Sequence, residues 1–118
     1  MGADYKTVYV DVDNTLVQDS LKMGKGHPRE IVVDYTNGPV WIVPNRKNIE
    51  LVILFFKLGY KVVVWSKTGA DWAELVCKAV GLDRCADIYL TKPMYYIDDE
   101  ECSQWMGSRR WMEDKDND

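Results

Sequence analysis

A chain of 118 residues is long enough for one domain and too short for two of ordinary size, so residues 1–118 are expected to form a single unit. Its 47% apolar and 29% charged content excludes a disordered chain, and a formal charge of −4 argues against a general nucleic-acid binder, which carries net positive charge. The longest apolar run, Leu51 to Phe56, is far too short to span a bilayer, and Met1 to Lys6 carries no signal-peptide core. The expectation is a cytoplasmic protein with no membrane partner. Cys77, Cys85 and Cys102 are odd in number and lack C-x-x-C spacing, which argues for reduced thiols rather than a disulfide framework or a zinc site.

Tyr5 to Val10 is β-branched and aromatic and predicts a buried strand whose C-terminal end carries Asp11. A loop with Gly24, Gly26 and Pro28 follows. Lys22, Lys25, His27 and Arg29 form its basic cluster, either a solvated loop or a lining of a substrate entrance. Ile31 to Tyr35 and Val40 to Val43 flank Asn37-Gly38, which predicts a β-hairpin over about 31–43. Trp41 on that hairpin either meets a substrate or packs the hairpin. Pro44-Asn45 opens a helix whose apolar positions Ile49, Val52, Ile53 and Phe56 follow i, i+3, i+4, i+7, with Gly59 as its stop. Lys61 to Trp65 reads as a strand buried on both faces and ends at Ser66. Ala70 to Val80 predicts a helix closed by Gly81, Asp87 to Leu90 a strand, and Met94 to Ile97 a further strand running into Asp98-Asp99. Trp65 and Trp72 read as core or site wall. Trp105, Met106, Trp111 and Met112 predict a C-terminal segment docked on the domain, and the acidic tail (about 107–118) is expected to be solvated.

This alternation of strand and helix predicts an α/β fold, a three-layer Rossmann-like domain around a central parallel sheet. In such sheets ligands bind at the carboxyl ends of the strands. The polar residues fall at those ends: Asp11 and Asp13 after the first strand, Ser66 after another, Lys92 in the turn before the last, Asp98 and Asp99 after it. Carboxylates gathered at one rim repel each other unless a cation intervenes, and few oxygen ligands with room for a phosphate suit Mg²⁺. One carboxylate can then serve as nucleophile and another as general acid and base. Lys92 adds a point charge and Ser66 a hydroxyl donor. Backbone N–H groups after Asp11 (Val12, Asp13) and after Ser66 (Lys67) can receive a phosphate oxygen. The set matches the needs of a phosphoryl-transfer transition state.

Asp11-Val12-Asp13-Asn14-Thr15-Leu16-Val17 resembles the D-x-D-x-T first motif of the haloacid-dehalogenase-like (HAD) hydrolase superfamily. Val62 to Ser66 is similar to its second motif, Lys92-Pro93 to its third, and Ile97-Asp98-Asp99 to its acidic fourth; all four stand in the family's order. The resemblance covers Tyr5 to about Asp99. It implies that Asp11 attacks phosphorus, that Asp13 protonates the leaving oxygen and then activates water, and that Thr15 braces the loop. It further implies that Ser66 and Lys92 hold phosphate, and that Mg²⁺ is bound by Asp11, the carbonyl of Asp13 and one of Asp98 or Asp99. An Asp at position 13 favours phosphate-monoester hydrolysis over dehalogenation.

The stretch from Val17 to Lys61 is filled by a hairpin and a helix, leaving no room for a cap domain. The expectation is therefore a capless member with a hairpin flap and an open site suited to large or varied phosphorylated substrates. Nucleic-acid ends, nucleotides and phosphosugars all stay open, as does homo-oligomerisation. The competing expectation is a catalytically silent phosphate-binding or protein-interaction module with the same fold. A phosphorylation-receiver domain is disfavoured, because its middle strand would end in Asp where this chain has Ser66.

Overall fold

The computed structural model describes residues 6–20 and 26–107. Its strands are β1 (Thr7–Asp11), β2 (Val17–Asp19), β3 (Ile31–Tyr35), β4 (Gly38–Pro44), β5 (Lys61–Ser66) and β6 (Ile88–Thr91). The helices that lie wholly among the described residues are α1 (Arg46–Lys57) and α2 (Ala70–Val80), and a 3₁₀ turn spans Cys102–Gln104. The start of the predicted first strand at Tyr5, the basic residues Lys22 and Lys25, and the tail with Trp111 and Met112 lie outside the described residues.

β1, β5 and β6 form a parallel sheet in that order. The register sets Asp11 opposite Trp65, Trp65 opposite Leu90, and Ser66 opposite Thr91, so the strands finish together along one rim. In chain order α1 precedes β5 and α2 lies between β5 and β6, so helices fall in the connections between the parallel strands, as expected of βαβ units.

The two faces of this sheet are unlike. Val8, Val10, Val62, Val64 and Tyr89 share one face and pack with Ile49, Val52 and Ile53 of α1 and with Trp72, Ala73, Val76 and Cys77 of α2. The other face carries Tyr9, Val63, Trp65, Ile88 and Leu90, of which Tyr9, Ile88 and Leu90 are exposed. Among the described residues the architecture is therefore two layers, not the three expected, because no helix covers the second face. The two crossovers step in the same direction across the sheet, and crossovers of the usual right hand then place their helices on the same side.

The hairpin forms as expected and gains a strand. β3 and β4 pair antiparallel, and β2 adds to the far edge of β4 through Val17 to Asp19. The connecting turn is Thr36-Asn37, one residue earlier than Asn37-Gly38, with Gly38 taking a left-handed φ of 112°. Pro39 fits in β4 because β2 reaches only as far as Ile42, leaving β4 an edge strand at that point. Val33 and Ile42 turn into the common core, with Ile31, Tyr35 and Val40 beside them, whereas Val32, Asp34 and Trp41 occupy the outer face.

α1 begins where the sequence indicates: the Asn45 side chain accepts a hydrogen bond from the Asn48 N–H at 3.1 Å, an N-cap. Of its apolar residues Leu54 stays exposed, as does Phe56 of the predicted stripe, and so does Leu58 just past its end. α2 ends at Gly81, whose left-handed φ of 82° suits the position after a helix.

The predicted strand at Met94 to Ile97 does not form; the segment is irregular and all four residues are exposed. The reason is reach. The Lys92 N–H donates to the Ser66 carbonyl at 3.0 Å, which holds the chain at the carboxyl rim. A parallel neighbour ending at that rim must start from the opposite end of the sheet, which takes a crossover of about a dozen residues or more. Only Pro93 lies between Lys92 and Met94, and each extended residue advances at most ~3.6 Å.

Among the described residues no helix is long and apolar enough to cross a membrane. The cysteines are free, with Cys77 and Cys85 buried and Cys102 half-buried. Burial pushes the Cys77 thiol up to about 12, with Asp83 and Cys85 adding to the effect, and burial raises Cys85 too. Because the reactive species is the thiolate, Cys102 is expected to react with a thiol reagent at pH 8 well before the other two. Labelling followed by peptide mapping checks this; Cys77 labelling as fast in the native protein as in urea would contradict its burial.

Candidate functional site

The loop after β1 is built to hold two carboxylates in place. Val12 is fully buried, and its carbonyl accepts from the N–H groups of Thr15, Leu16 and Val17 at 3.2, 2.9 and 3.3 Å. The turn closes with Asn14 N–H to the Val17 carbonyl at 2.8 Å, and Asn14 takes a left-handed φ of 65°, a region that Asn tolerates better than most residues. From below, the buried Asn48 side chain donates to the Thr15 carbonyl at 2.8 Å, and the Asn45 N–H donates to the Leu16 carbonyl at the same distance. The start of α1 thus anchors the loop that presents Asp11 and Asp13.

Five of the predicted residues meet at this rim. Lys92 Nζ lies 3.1 Å from Asp11 Oδ1, and the Thr15 hydroxyl donates to Asp11 Oδ2 at 3.1 Å. The buried Ser66 hydroxyl donates to Asp13 Oδ2 at 3.3 Å and accepts from the Thr68 N–H at 3.0 Å. Lys92 is steered by its own backbone bond to Ser66 and by Trp65, whose ring centre lies 5.7 Å from the ammonium and which packs edge-on against Tyr9. The Asp11–Lys92 pair is about one-third exposed, so its value is positional more than energetic.

A sixth residue belongs to the cluster. The Trp72 indole N–H donates to Asp13 Oδ1 at 3.2 Å. The sequence placed Trp72 only as core or site wall; a contact across 59 positions leaves no local signal, although a Trp early in the helix after the Ser66 strand is a position from which the rim is reachable.

Asp98 and Asp99 are not brought into this cluster. They stand on the exposed segment after β6, where Asp98 Oδ1 accepts from the Glu100 N–H at 3.1 Å. That backbone bond, with Asp99 beside it, holds the Asp98 carboxyl below its ordinary value. Among the described residues, Asp98, Asp99 and Glu100 make the one group of three such side chains whose ligand atoms approach within 4.8 Å of one another, and neither Asp11 nor Asp13 is part of it.

The remaining predicted contacts are dispersed. Lys67 is exposed beyond Ser66. Trp41 lies on the outer face of the hairpin, opposite to the face that carries Tyr35 toward α2. Arg29 is half-buried, and its N–H donates to His27 Nδ1 at 3.1 Å. Cavities of about 390 and 510 Å³ lie away from the rim. The first is lined by Ile31, Pro44, Ile49 and Val80, the second by Lys6, Gly59, Lys61 and Asp87.

The chain matches no protein-family model, no curated protein and no solved structure.

Proposed function

We propose that the chain is a Mg²⁺-dependent phosphomonoester phosphatase of the HAD type, working through an aspartyl-phosphate. The observation that carries the reading is that three strand ends bring together two adjoining sets of contacts, Asp11 with Thr15 and Lys92, and Asp13 with Ser66. A nucleophilic carboxylate, a second carboxylate two residues on, a cation and a buried hydroxyl are the parts that in-line displacement at phosphorus requires.

The rim's donors fit a hard cation. Mg²⁺ is commonly held by one or two carboxylates, with waters and a substrate phosphate completing the shell. Asp11 is half-exposed and Asp13 exposed, so both remain accessible. The Asp11 carboxylate and the Asp13 carbonyl would hold the ion, which would draw charge from the phosphate oxygens. Asp98 and Asp99, assigned to the ion by resemblance, share no hydrogen bond with this pair, and the reading does not depend on them.

In the first step an Asp11 oxygen attacks phosphorus while Asp13 gives its proton to the departing alcohol or phenol oxygen. Lys92 keeps the Asp11 carboxylate oriented and offsets charge on the transferred group, and Ser66 offers its hydroxyl to a phosphate oxygen. In the second step Asp13 takes a proton from water, which attacks phosphorus, releases inorganic phosphate and restores Asp11. Because Asp11 is half-exposed and Asp13 exposed among the described residues, the site would admit phosphate groups carried on large substrates, nucleic-acid ends included.

The test is hydrolysis of p-nitrophenyl phosphate by the purified chain. Turnover should require added Mg²⁺ and fall at least ~100-fold in excess chelator. Equal rates with Mg²⁺ and with chelator would defeat the metal assignment. One observation favours the silent binding module instead: both Asp13 oxygens already accept hydrogen bonds from the protein. Binding of phosphate without turnover would select it.

A further inference from the structure

The loop places the Asp13 backbone, but the hydrogen bonds to its carboxylate come from outside that loop. One oxygen accepts from Ser66 and the other from the Trp72 indole, so two donors on two different strand–helix elements define the plane of the carboxylate. Trp72 is buried, with 5% of its surface exposed. Its ring packs at 5.0 Å, centre to centre, against the ring of Tyr35 at the tip of β3, and the Tyr35 hydroxyl donates to Asp71 Oδ1 at 3.0 Å. The same Asp71 oxygen accepts from the Trp72 N–H at 2.8 Å. Burial and this bond to Asp71 raise the Tyr35 hydroxyl above its ordinary value, so it remains a donor.

The seat of Asp71 is itself specified. Gly69 has φ of 143°, and a Cβ there would come within 2.7 Å of Asp71 Oδ1. A side chain at position 69 would displace the carboxylate that receives Tyr35.

From these contacts we infer that Trp72 is a positioning residue for Asp13, and that Tyr35 latches the hairpin onto it, so that the seating of the hairpin sets the orientation of the acid–base carboxylate. This rests on the phosphatase reading of the site. It adds a function for the hairpin that does not require it to touch substrate. Trp72 acts through the Asp13 oxygen that it bonds, and Tyr35 acts through Trp72 and Asp71.

A buried indole N–H needs some partner, so the bond alone would also suit a merely structural tryptophan. The two roles separate by leaving group. A misdirected general acid matters most where the departing oxygen is basic and needs its proton, and little where it leaves as a stabilised anion. Trp72→Phe keeps the ring and removes only the N–H. Its kcat/KM on phenyl phosphate should fall roughly tenfold further than on 2,4-dinitrophenyl phosphate. Tyr35→Phe, which keeps the ring and removes the latch, should shift the same ratio in the same direction by less. The double variant should shift it no further than Trp72→Phe alone, since both act along one chain of contacts.

Circular dichroism and thermal melting establish that the variants are folded, and a Trp72→Phe chain that does not fold is replaced in the comparison by Tyr35→Phe. An active wild type whose variants lose activity equally on both substrates, or lose none, overturns the inference and leaves the phosphatase reading standing. A folded wild type inactive on both substrates with Mg²⁺ overturns the phosphatase reading and this inference with it.

Discussion

Asp11→Asn is expected to lower p-nitrophenyl phosphate turnover by at least ~1,000-fold while the protein stays folded. The amide is nearly isosteric and can still accept from Thr15, but it has neither the charge nor the nucleophilicity to attack phosphorus. The stability cost is small because the lost partner, Lys92, is partly solvated. Exposed and part-exposed ion pairs contribute up to about 1 kcal/mol, so the thermal midpoint should move by only a few degrees. Asp13→Asn is expected to behave differently. Its nucleophile is intact, and p-nitrophenolate leaves without a proton, so the first step survives while the water step slows. Covalently phosphorylated protein should accumulate and be visible by intact mass. Wild-type turnover in Asp11→Asn would remove that residue from the chemistry; absence of any phosphorylated protein in Asp13→Asn would remove the division of roles.

That prediction uses the part of the site most legible from sequence. Asp11, Thr15, Ser66 and Lys92 are legible because each sits at the end of an apolar β-branched run or in the turn beside one, and a parallel register then brings strand ends together without side-chain information. The helix Ala70–Val80 is legible for a similar reason: its buried residues Trp72, Ala73, Val76 and Cys77 recur at helical spacing, and Gly81 closes it. β2 is not, because three residues are too few to show a period, and its pairing with β4 is decided across the chain. Met94 to Ile97 misleads because a β-rich composition says nothing about connection length, and the rim contact of Lys92 leaves too little chain for a parallel return. Trp72 and Tyr35 carry no local signal, since their partners lie at Asp13 and Asp71 and are set by how the hairpin docks on α2.

The same dependence on long-range packing makes Leu16 the residue whose truncation should damage the fold most directly at the site. Leu16 lies in the turn between Asp13 and β2, is fully buried, and joins the core cluster with Val12, Val17, Ile42, Val52 and Val64. These neighbours come from both sheets and from α1, so a cavity there cannot be closed by the shift of a single side chain. Leu→Ala at such a position costs about 2–5 kcal/mol. Against the ~5–15 kcal/mol that stabilises a domain of ordinary size, that is a large fraction. Leu16→Ala should therefore lower the thermal midpoint by roughly 10 °C or more. Leu58→Ala is the control: that side chain is 61% exposed beyond the end of α1, and its loss should change stability by less than ~0.5 kcal/mol. Equal midpoints for the two variants would show that the turn is not packed as described. The backbone bonds of the turn do not involve the Leu16 side chain, so the Thr15 hydroxyl keeps its path to Asp11 even in the variant. If Leu16 acts only through packing, Leu16→Ala should retain most of its activity well below its lowered midpoint and lose it in step with unfolding. Activity lost at temperatures where circular dichroism still reports a folded chain would instead mean that the core beneath the turn holds Asp11 and Asp13 in register, not merely the domain together.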